Sequence, residues 1–203
     1  MPMPMRTLKR VFAVVLATGI IAVCGSILQS IHVRSDAEAL LERSRNLDVG
    51  TSSYEQAVST LGPFHRYQSS SESCSSGECE LEYRFDNTGM RRLRLVPPTG
   101  FYFSFGFHNG VLTSKKAILG QGICCVALVR EVKFNPGEED GNPRYNLIPN
   151  GAPYKVLVHL DTRATKEEKR IAFQFNLDCL TELGGCKDAH RLLPSVWPTE
   201  PKQ

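Results

Sequence analysis

The stretch "FYFSFGFHNGVLTSKKAI", residues 101–118, determines the fold that we expect. Asn109-Gly110 places two residues that tolerate positive φ between two apolar runs, which is typical of a tight β-hairpin turn. Side chains alternate along a strand, so the phenylalanines at 101, 103, 105 and 107 share one face. That face could line a lipid-binding groove or a partner site, but we expect it to form the centre of the core.

The flanking sequence predicts the rest of a sheet. Apolar and charged residues alternate in 80–86, and further strands are expected at 124–134 and 154–161. Lys115 and Lys116 on the return strand of the hairpin indicate a position near a sheet edge. We therefore expect an antiparallel sheet of about five or six strands between residues 80 and 161.

The basic run around residue 92 is interpreted as part of this sheet. "DNTG", residues 86–89, reads as a turn, and Leu93 and Leu95 alternate with arginines after it. Arg91, Arg92 and Arg94 are then expected to pair across strands with the carboxylates of 80–86 rather than to bind nucleic acid. The nearly balanced charge of the chain, 24 Lys and Arg against 21 Asp and Glu, agrees with that interpretation.

Helical periodicity flanks the predicted sheet on both sides. Residues 36–47 follow a capping-box pattern that begins at Ser35. A second short helix, 53–61, is expected to begin with Ser52 or Ser53 as its cap and to end at Gly62-Pro63. A third helix starts at Thr165 with another capping box and is expected to end at Gly184-Gly185. The predicted fold class is α+β, with the C-terminal helix packed on the sheet.

The N-terminus predicts a membrane segment. Arg6, Lys9 and Arg10 precede residues 11–28, none of which is charged, and this run approaches the roughly 20 apolar residues of a spanning helix. An uncleaved single-pass signal-anchor is the first interpretation; a cleaved signal peptide and lipidation at Cys24 are alternatives. Basic residues stay in the cytoplasm, so residues 31–203 are expected to form an exported, periplasmic cell-envelope domain after an anchor at 1–30.

Six of the seven cysteines follow residue 30, and oxidising compartments allow such thiols to pair. Short spacing predicts disulfide bonds between Cys74 and Cys79 and between Cys179 and Cys186, although six cysteines allow 15 connectivities. Cys124 and Cys125 are candidate thiols. They are expected to point to opposite faces of a strand and to stay unpaired with each other.

One segment carries a resemblance to a known family. "LDVGTSSYEQAVSTLGPF" is similar, over about residues 47 to 63, to the opening of small outer-membrane assembly lipoproteins of the SmpA/OmlA type. In that family a Gly-Thr turn starts a helix that closes on Leu-Gly-x-Pro, and strands follow. The resemblance implies a role in outer-membrane protein assembly. Pro63 directly after Gly62, and Val23 before Cys24, depart from the family pattern.

Motifs that would specify a reaction are missing from the sequence. It contains no phosphate loop, nucleophile elbow, zinc-protease helix or dinucleotide fingerprint, and we expect no bound metal and no cofactor. Flexible loops are expected at 68–79 and 135–153. A nucleophilic pair of Cys125 and His159 would require both side chains on one side of the sheet.

Three hypotheses about function follow from these observations. The first is a membrane-anchored binding or scaffolding module that contacts the lipid bilayer through its N-terminal helix, with another envelope protein as a partner. The second is a thiol-redox protein that uses Cys124 and Cys125. The third is an unrecognised hydrolase. The absence of a C-x-x-C motif at a helix N-terminus disfavours the second hypothesis.

Overall fold

In a computed structural model, the sheet has seven strands and the described residues are 5–71, 77–122, 124–133, 144–147, 155–186 and 188–196. The strands run in the spatial order β1-β2-β3-β4-β5-β7-β6. Their bounds are β1 Gln68–Ser71, β2 Glu78–Asp86, β3 Thr99–His108, β4 Val111–Gln121, β5 Cys125–Val132, β6 Arg144–Leu147 and β7 Lys155–Asp161.

The α+β class is confirmed, and the sheet is mixed rather than purely antiparallel. Strand β7 lies between β5 and β6, parallel to β5 and antiparallel to β6. After β5 the chain therefore forms β6 two positions away in the sheet, and β7 then fills the position between them. Parts of the two predicted loops are strands: 68–71 forms β1 and 144–147 forms β6. Residues 72–76, 134–143 and 148–154 lie outside the described residues.

The hairpin around Asn109-Gly110 forms as predicted, with both residues at positive φ. The four phenylalanines of β3 are at most 2% exposed and form the centre of the core. Strand β4 lies in the middle of the sheet, so the edge position predicted from its lysines is wrong. Lys115 opposes Phe105 and is itself buried, because ion pairs and a backbone carbonyl satisfy its ammonium group.

The first helix, α1, runs without a break over Met5–Ser44. Its apolar N-terminal part is exposed and is long and apolar enough to cross a membrane, whereas Val33, Ala37 and Leu40 are buried in the core. The helix start predicted at Ser35 is therefore wrong, because the chain is already helical there. The predicted boundary at residue 30 falls inside a single rigid element, and Cys24 on its exposed part is a free thiol.

Short helices cover the same face of the sheet. Ser53 caps α2, Tyr54–Leu61, by accepting a hydrogen bond from the amide of Gln56, as predicted. A 3-10 helix, Gly62–Tyr67, follows it. Thr165 and Glu168 form the predicted capping box of α4, Lys166–Ala172. The remaining helices are a 3-10 helix at Leu177–Leu180, α5 at Ala189–Leu192 and a 3-10 helix at Pro194–Val196.

Helix α4 ends at Ala172 and not at Gly184-Gly185 as predicted. The Asn176 side chain accepts a hydrogen bond from the amide of Asp178 and starts a separate 3-10 turn. The Asn176 amide donates to the carbonyl of Leu192, so this turn is tied to the C-terminal helices instead.

The strand predicted around Leu93 and Leu95 is a helix and a turn. Residues Thr88–Arg92 form α3, and Arg94 has a φ of 56°. Pro97 and Pro98 have no amide hydrogen, so this segment cannot supply a regular ladder to β2. Strand β3 pairs with β2 instead, and the expected cross-strand pairing of Arg91, Arg92 and Arg94 is wrong.

A polar cluster joins α1 to the 3-10 helix after α2. The Tyr67 hydroxyl donates to Asp36 at 2.5 Å, and Arg66 forms an ion pair with the same carboxylate. Burial raises the pKa of Asp36, but the hydrogen bonds from Tyr67 and Arg66 outweigh it and the net pKa is lowered. Burial, followed by the bond to Asp36, raises the pKa of Tyr67 to about 12.

We predict that Tyr67 makes the stability of the protein fall in alkali. A phenol with a raised pKa stabilises the fold below its unfolded pKa of about 10, and this contribution is lost as pH rises towards 12. Urea unfolding at pH 8 and at pH 10.5 should show that the free energy of unfolding falls as pH rises. The fall should be smaller in Tyr67→Phe than in the unmodified protein, by less than about 1 kcal/mol once solvent screening is taken into account. An equal loss in both proteins would contradict this role; Tyr83, whose burial also raises its pKa, is common to both.

Candidate functional site

The predicted cysteines are placed as follows. Cys179 and Cys186 form a disulfide bond with Cα atoms 5.2 Å apart, and both residues are fully buried. The bond closes the segment after α4, where Gly184 and Gly185 adopt positive φ. Cys79 is also in a disulfide bond, while its predicted partner Cys74 lies outside the described residues.

Cys124 and Cys125 are bonded to each other, which corrects the prediction that they stay unpaired. The reason is the turn before β5. Gly122 has a φ of 52° and donates its amide to the carbonyl of Pro98, so the strand begins only at Cys125. Cys124 belongs to the turn and does not obey the alternation of the strand.

The two described disulfide bonds are neighbours in space. The sulfur of Cys125 lies 3.7 Å from the carbonyl oxygen of Cys186, and the amide of Cys186 donates to the Gln121 side chain at 2.7 Å. A side chain on Gly185 would collide with Gln121, so the two segments pack closely at this point. Sequence analysis did not identify Gln121, because no local pattern links residue 121 to residue 186.

The proposed nucleophilic pair of Cys125 and His159 is not formed. Cys125 is buried on the helix-covered face, whereas His159 is exposed on the open face between the buried residues Val158 and Leu160. Among the described residues, no three His, Cys, Asp or Glu side chains are close enough together to hold a metal ion.

A buried ion cluster lies beneath the helices. The carboxylate of Glu131 on β5 is fully buried, with Lys115 at 2.9 Å from one oxygen and Lys169 of α4 at 2.8 Å from the other. Lys115 also donates to the carbonyl of Leu47 at 2.9 Å. Two ammonium groups share one carboxylate, so the cluster keeps one uncompensated positive charge.

A cavity of about 420 Å³ opens directly over this cluster. It is bounded by the segment after α1 and by α4, with Phe103 and Phe173 as its aromatic part. The rings lie 6.0 Å apart and are tilted to each other. The basic side chains that line it are Arg45, Lys115, Lys166, Lys169 and Arg170, and among the described lining residues Asp48 is the one acid.

The charges of this cavity are not fully neutralised. Arg170 pairs with Glu167 and Arg45 pairs with Glu42 outside the cavity. Lys166 is exposed and makes no ion pair with any described residue. Lys169 is 20% exposed and uses one described bond, to Glu131, so it has further N–H donors for an anion.

A larger depression, about 850 Å³, lies on the open face of the sheet. Small residues form its floor, among them Ser104, Gly106 and Ser114. Its charged side chains have both signs, with Glu78 and Glu80 on one side and Lys116, Arg130 and Lys155 on the other. The smaller cavity is the better candidate site, because its charges have one predominant sign and a buried cluster orients two of them.

Comparison with known proteins gives no assignment. Neither the protein-family models, nor the curated proteins, nor the solved structures contain a match to this chain.

Proposed function

We propose that this chain is a single-pass membrane protein whose folded domain lies outside the cytoplasm and acts as a binding module for a small organic anion. The cationic cavity between α4 and the end of α1 is the observation that carries the proposal. The helix α1 supports the membrane part, because its uncharged residues 11–28 span about 27 Å at 1.5 Å per residue.

The buried cluster supports ligand binding rather than stability. Burying three charged groups costs free energy that their mutual attraction often fails to return, so such clusters are weak stabilisers. Here the cluster fixes Lys169 at the cavity wall, while Lys115 holds the segment at Leu47. A preorganised ammonium group binds an anion without the entropy loss of ordering a free lysine.

The aromatic part of the cavity indicates the chemistry of the remainder of the ligand. The rings of Phe103 and Phe173 favour a planar or aliphatic apolar group, because its burial removes apolar surface from water. The ligand class is therefore an anion, a carboxylate or a phosphate, that carries an apolar part. Lys166 and Lys169 would bind the anionic group.

We predict that the full chain in lipid nanodiscs binds 4-(trifluoromethyl)benzoate saturably and the neutral 4-(trifluoromethyl)benzamide at least tenfold more weakly. A ¹⁹F NMR titration measures both ligands. Lys166→Gln should weaken binding of the carboxylate about three- to tenfold, the effect of losing one charged partner. The matched control is Lys155→Gln, an exposed lysine on the opposite face of the sheet.

Three results would contradict this anion site. They are equal affinities for the acid and the amide, equal effects of the two lysine variants, and no saturable binding. Inorganic phosphate serves as the anion without an apolar part. Tighter binding of phosphate than of the benzoate would contradict the proposal that the phenylalanines bind an apolar part of the ligand.

The topology is predicted separately. Arg6, Lys9 and Arg10 before the apolar run should keep the N-terminus in the cytoplasm. Alkaline phosphatase fused after Gln203 should be active, because it folds only in an oxidising compartment, and green fluorescent protein at the same position should be dark. The reverse result would overturn the topology. Changing the three basic residues to Glu should lower phosphatase activity.

A second candidate function rests on the Cys124–Cys125 bond. We propose that this bond responds to redox conditions: an external dithiol gives two electrons and two protons, the S–S bond breaks, and two thiols form. Cys124 is half-buried and reachable, whereas Cys179 and Cys186 are fully buried. Access to a sulfur is one determinant of exchange rate.

Thiol trapping tests this candidate. In buffers of increasing dithiothreitol, mass spectrometry after alkylation should show Cys124 and Cys125 reduced at a lower dithiol concentration than Cys179 and Cys186. Simultaneous reduction of both pairs would argue against a selective response. Recovery of Cys124 and Cys125 as free thiols from untreated membranes would show that this disulfide bond is not formed and would contradict the candidate.

A further inference from the structure

The arginines of α3 lie beside the point where the apolar part of α1 ends. A side chain at Gly89 would come within 2.6 Å of the Gln29 amide oxygen and 3.4 Å of the Cα atom of Ser26. Leu28 is the last apolar residue before the polar pair Gln29 and Ser30. Helix α3 is thus held against α1 at the level where a membrane-spanning helix leaves the hydrocarbon core.

The buried and exposed sides of α3 are clearly separated. Met90 is 1% exposed and fixes the helix to the domain. Arg91, Arg92 and Arg94 are exposed, and none of them makes an ion pair with a described residue. Leu93 between them is 38% exposed. The patch formed by residues 91–94 therefore presents three guanidinium groups and one leucine to its surroundings.

The backbone turns within this patch. The amide of Leu95 donates to the carbonyl of Met90, and Arg94 adopts a left-handed conformation. This turn ends α3 and keeps all three arginines close to Gly89, which contacts α1. Their long side chains can reach several ångströms along the direction of α1 towards the hydrocarbon core.

We propose that the 91–94 patch binds the phosphate groups of the lipid bilayer in which α1 is anchored. Guanidinium groups bind phosphate oxygens in bidentate fashion, and each basic residue near an anionic membrane surface adds attraction. Leu93 inserts at the boundary of the acyl chains. This inference rests on the proposed membrane insertion of α1 and adds a second contact between the domain and the bilayer.

The patch also limits how the domain can move. A single helix allows rotation of the domain about the helix axis and tilting of that axis. Contact between the patch and the lipid headgroups restricts this rotation and tilting. The side of α1 that packs on α3 is then held at the membrane surface. The cationic cavity lies near Ser44 and Arg45, about 24 Å along the helix from Leu28. The two basic surfaces therefore meet different ligands, the bilayer and a dissolved anion.

A photo-crosslinking experiment tests the lipid contact. The full chain, with p-benzoylphenylalanine in place of Leu93, is reconstituted in nanodiscs of phosphatidylcholine and phosphatidylglycerol at 3:1. Irradiation should give an adduct of one phospholipid mass. The matched control carries the same photoreactive group in place of Val58, an exposed valine of α2 beside the far end of α1, and should give no lipid adduct.

Charge changes then test the role of the arginines. Replacing Arg91, Arg92 and Arg94 by Gln should lower the lipid adduct yield at position 93 at least threefold. The same change at Arg130, Lys155 and Arg191, exposed basic residues outside both the patch and the cavity lining, should leave the yield unchanged. Nanodiscs of phosphatidylcholine alone should give a lower yield than the anionic mixture.

The proposal is overturned by equal lipid adducts at positions 93 and 58, by no lipid adduct at 93, or by a protein adduct there. An unchanged yield in the arginine variant or without phosphatidylglycerol overturns the role of charge. Nanodiscs expose both membrane sides, so this result is independent of the topology reporter. A wrong topology and an absent lipid contact are therefore distinguishable.

Discussion

A single α-helix passes from an uncharged, exposed segment directly into the core of the domain, and the positions of both basic surfaces depend on this continuity. Ala37 and Leu40 of α1 are completely buried, so the last turns of the helix cannot separate from the sheet without exposing the core. No flexible linker intervenes. The orientation of α1 relative to the sheet is consequently set by packing, and the levels of α3 and of the cavity along α1 follow from it.

The core explains why a cluster of charges can exist at its border. Strand β4 places Lys115 opposite Phe105, in the middle of the sheet, where an unpaired ammonium group would be very costly. Glu131 on β5 is the direct cross-strand partner of Lys115, and Lys169 approaches the same carboxylate from α4. The aromatic rings of Phe103 and Phe173 lie beside this cluster, and the cavity opens over it.

Local sequence signals predicted those elements that are determined by a few neighbouring residues. The hairpin at Asn109-Gly110, the cap at Ser53 and the capping box at Thr165 all form, because each depends on contacts within three or four positions. The capping pattern at Ser35 did not start a helix, since the preceding residues were already helical. Competition between a local cap and a continuing helix is decided by the neighbouring segment.

The errors have a common physical origin in contacts between distant residues. Alternation at 92–95 predicted a strand next to β2. Pro97 and Pro98 cannot donate amide hydrogen bonds, and β3 pairs with β2 at that position instead. Lysines suggested an edge for β4, because the sequence does not reveal that Glu131 lies opposite Lys115. The cationic cavity was not predicted at all: its basic residues come from the segment after α1, from β4 and from α4, and only the folded chain assembles them.

The disulfide bonds and the proposed topology support each other. A pair of thiols that the cytosol would keep reduced can remain bonded outside it. The Cys179–Cys186 bond begins one residue after Asp178, which forms an ion pair with Arg34 of α1 at 2.5 Å. Reduction would release constraints on the segment closed by this bond and on Gln121, which holds the backbone of Cys186. An oxidising compartment would preserve the packing of the C-terminal segment against α1, on which the proposed position of the domain at the membrane partly depends.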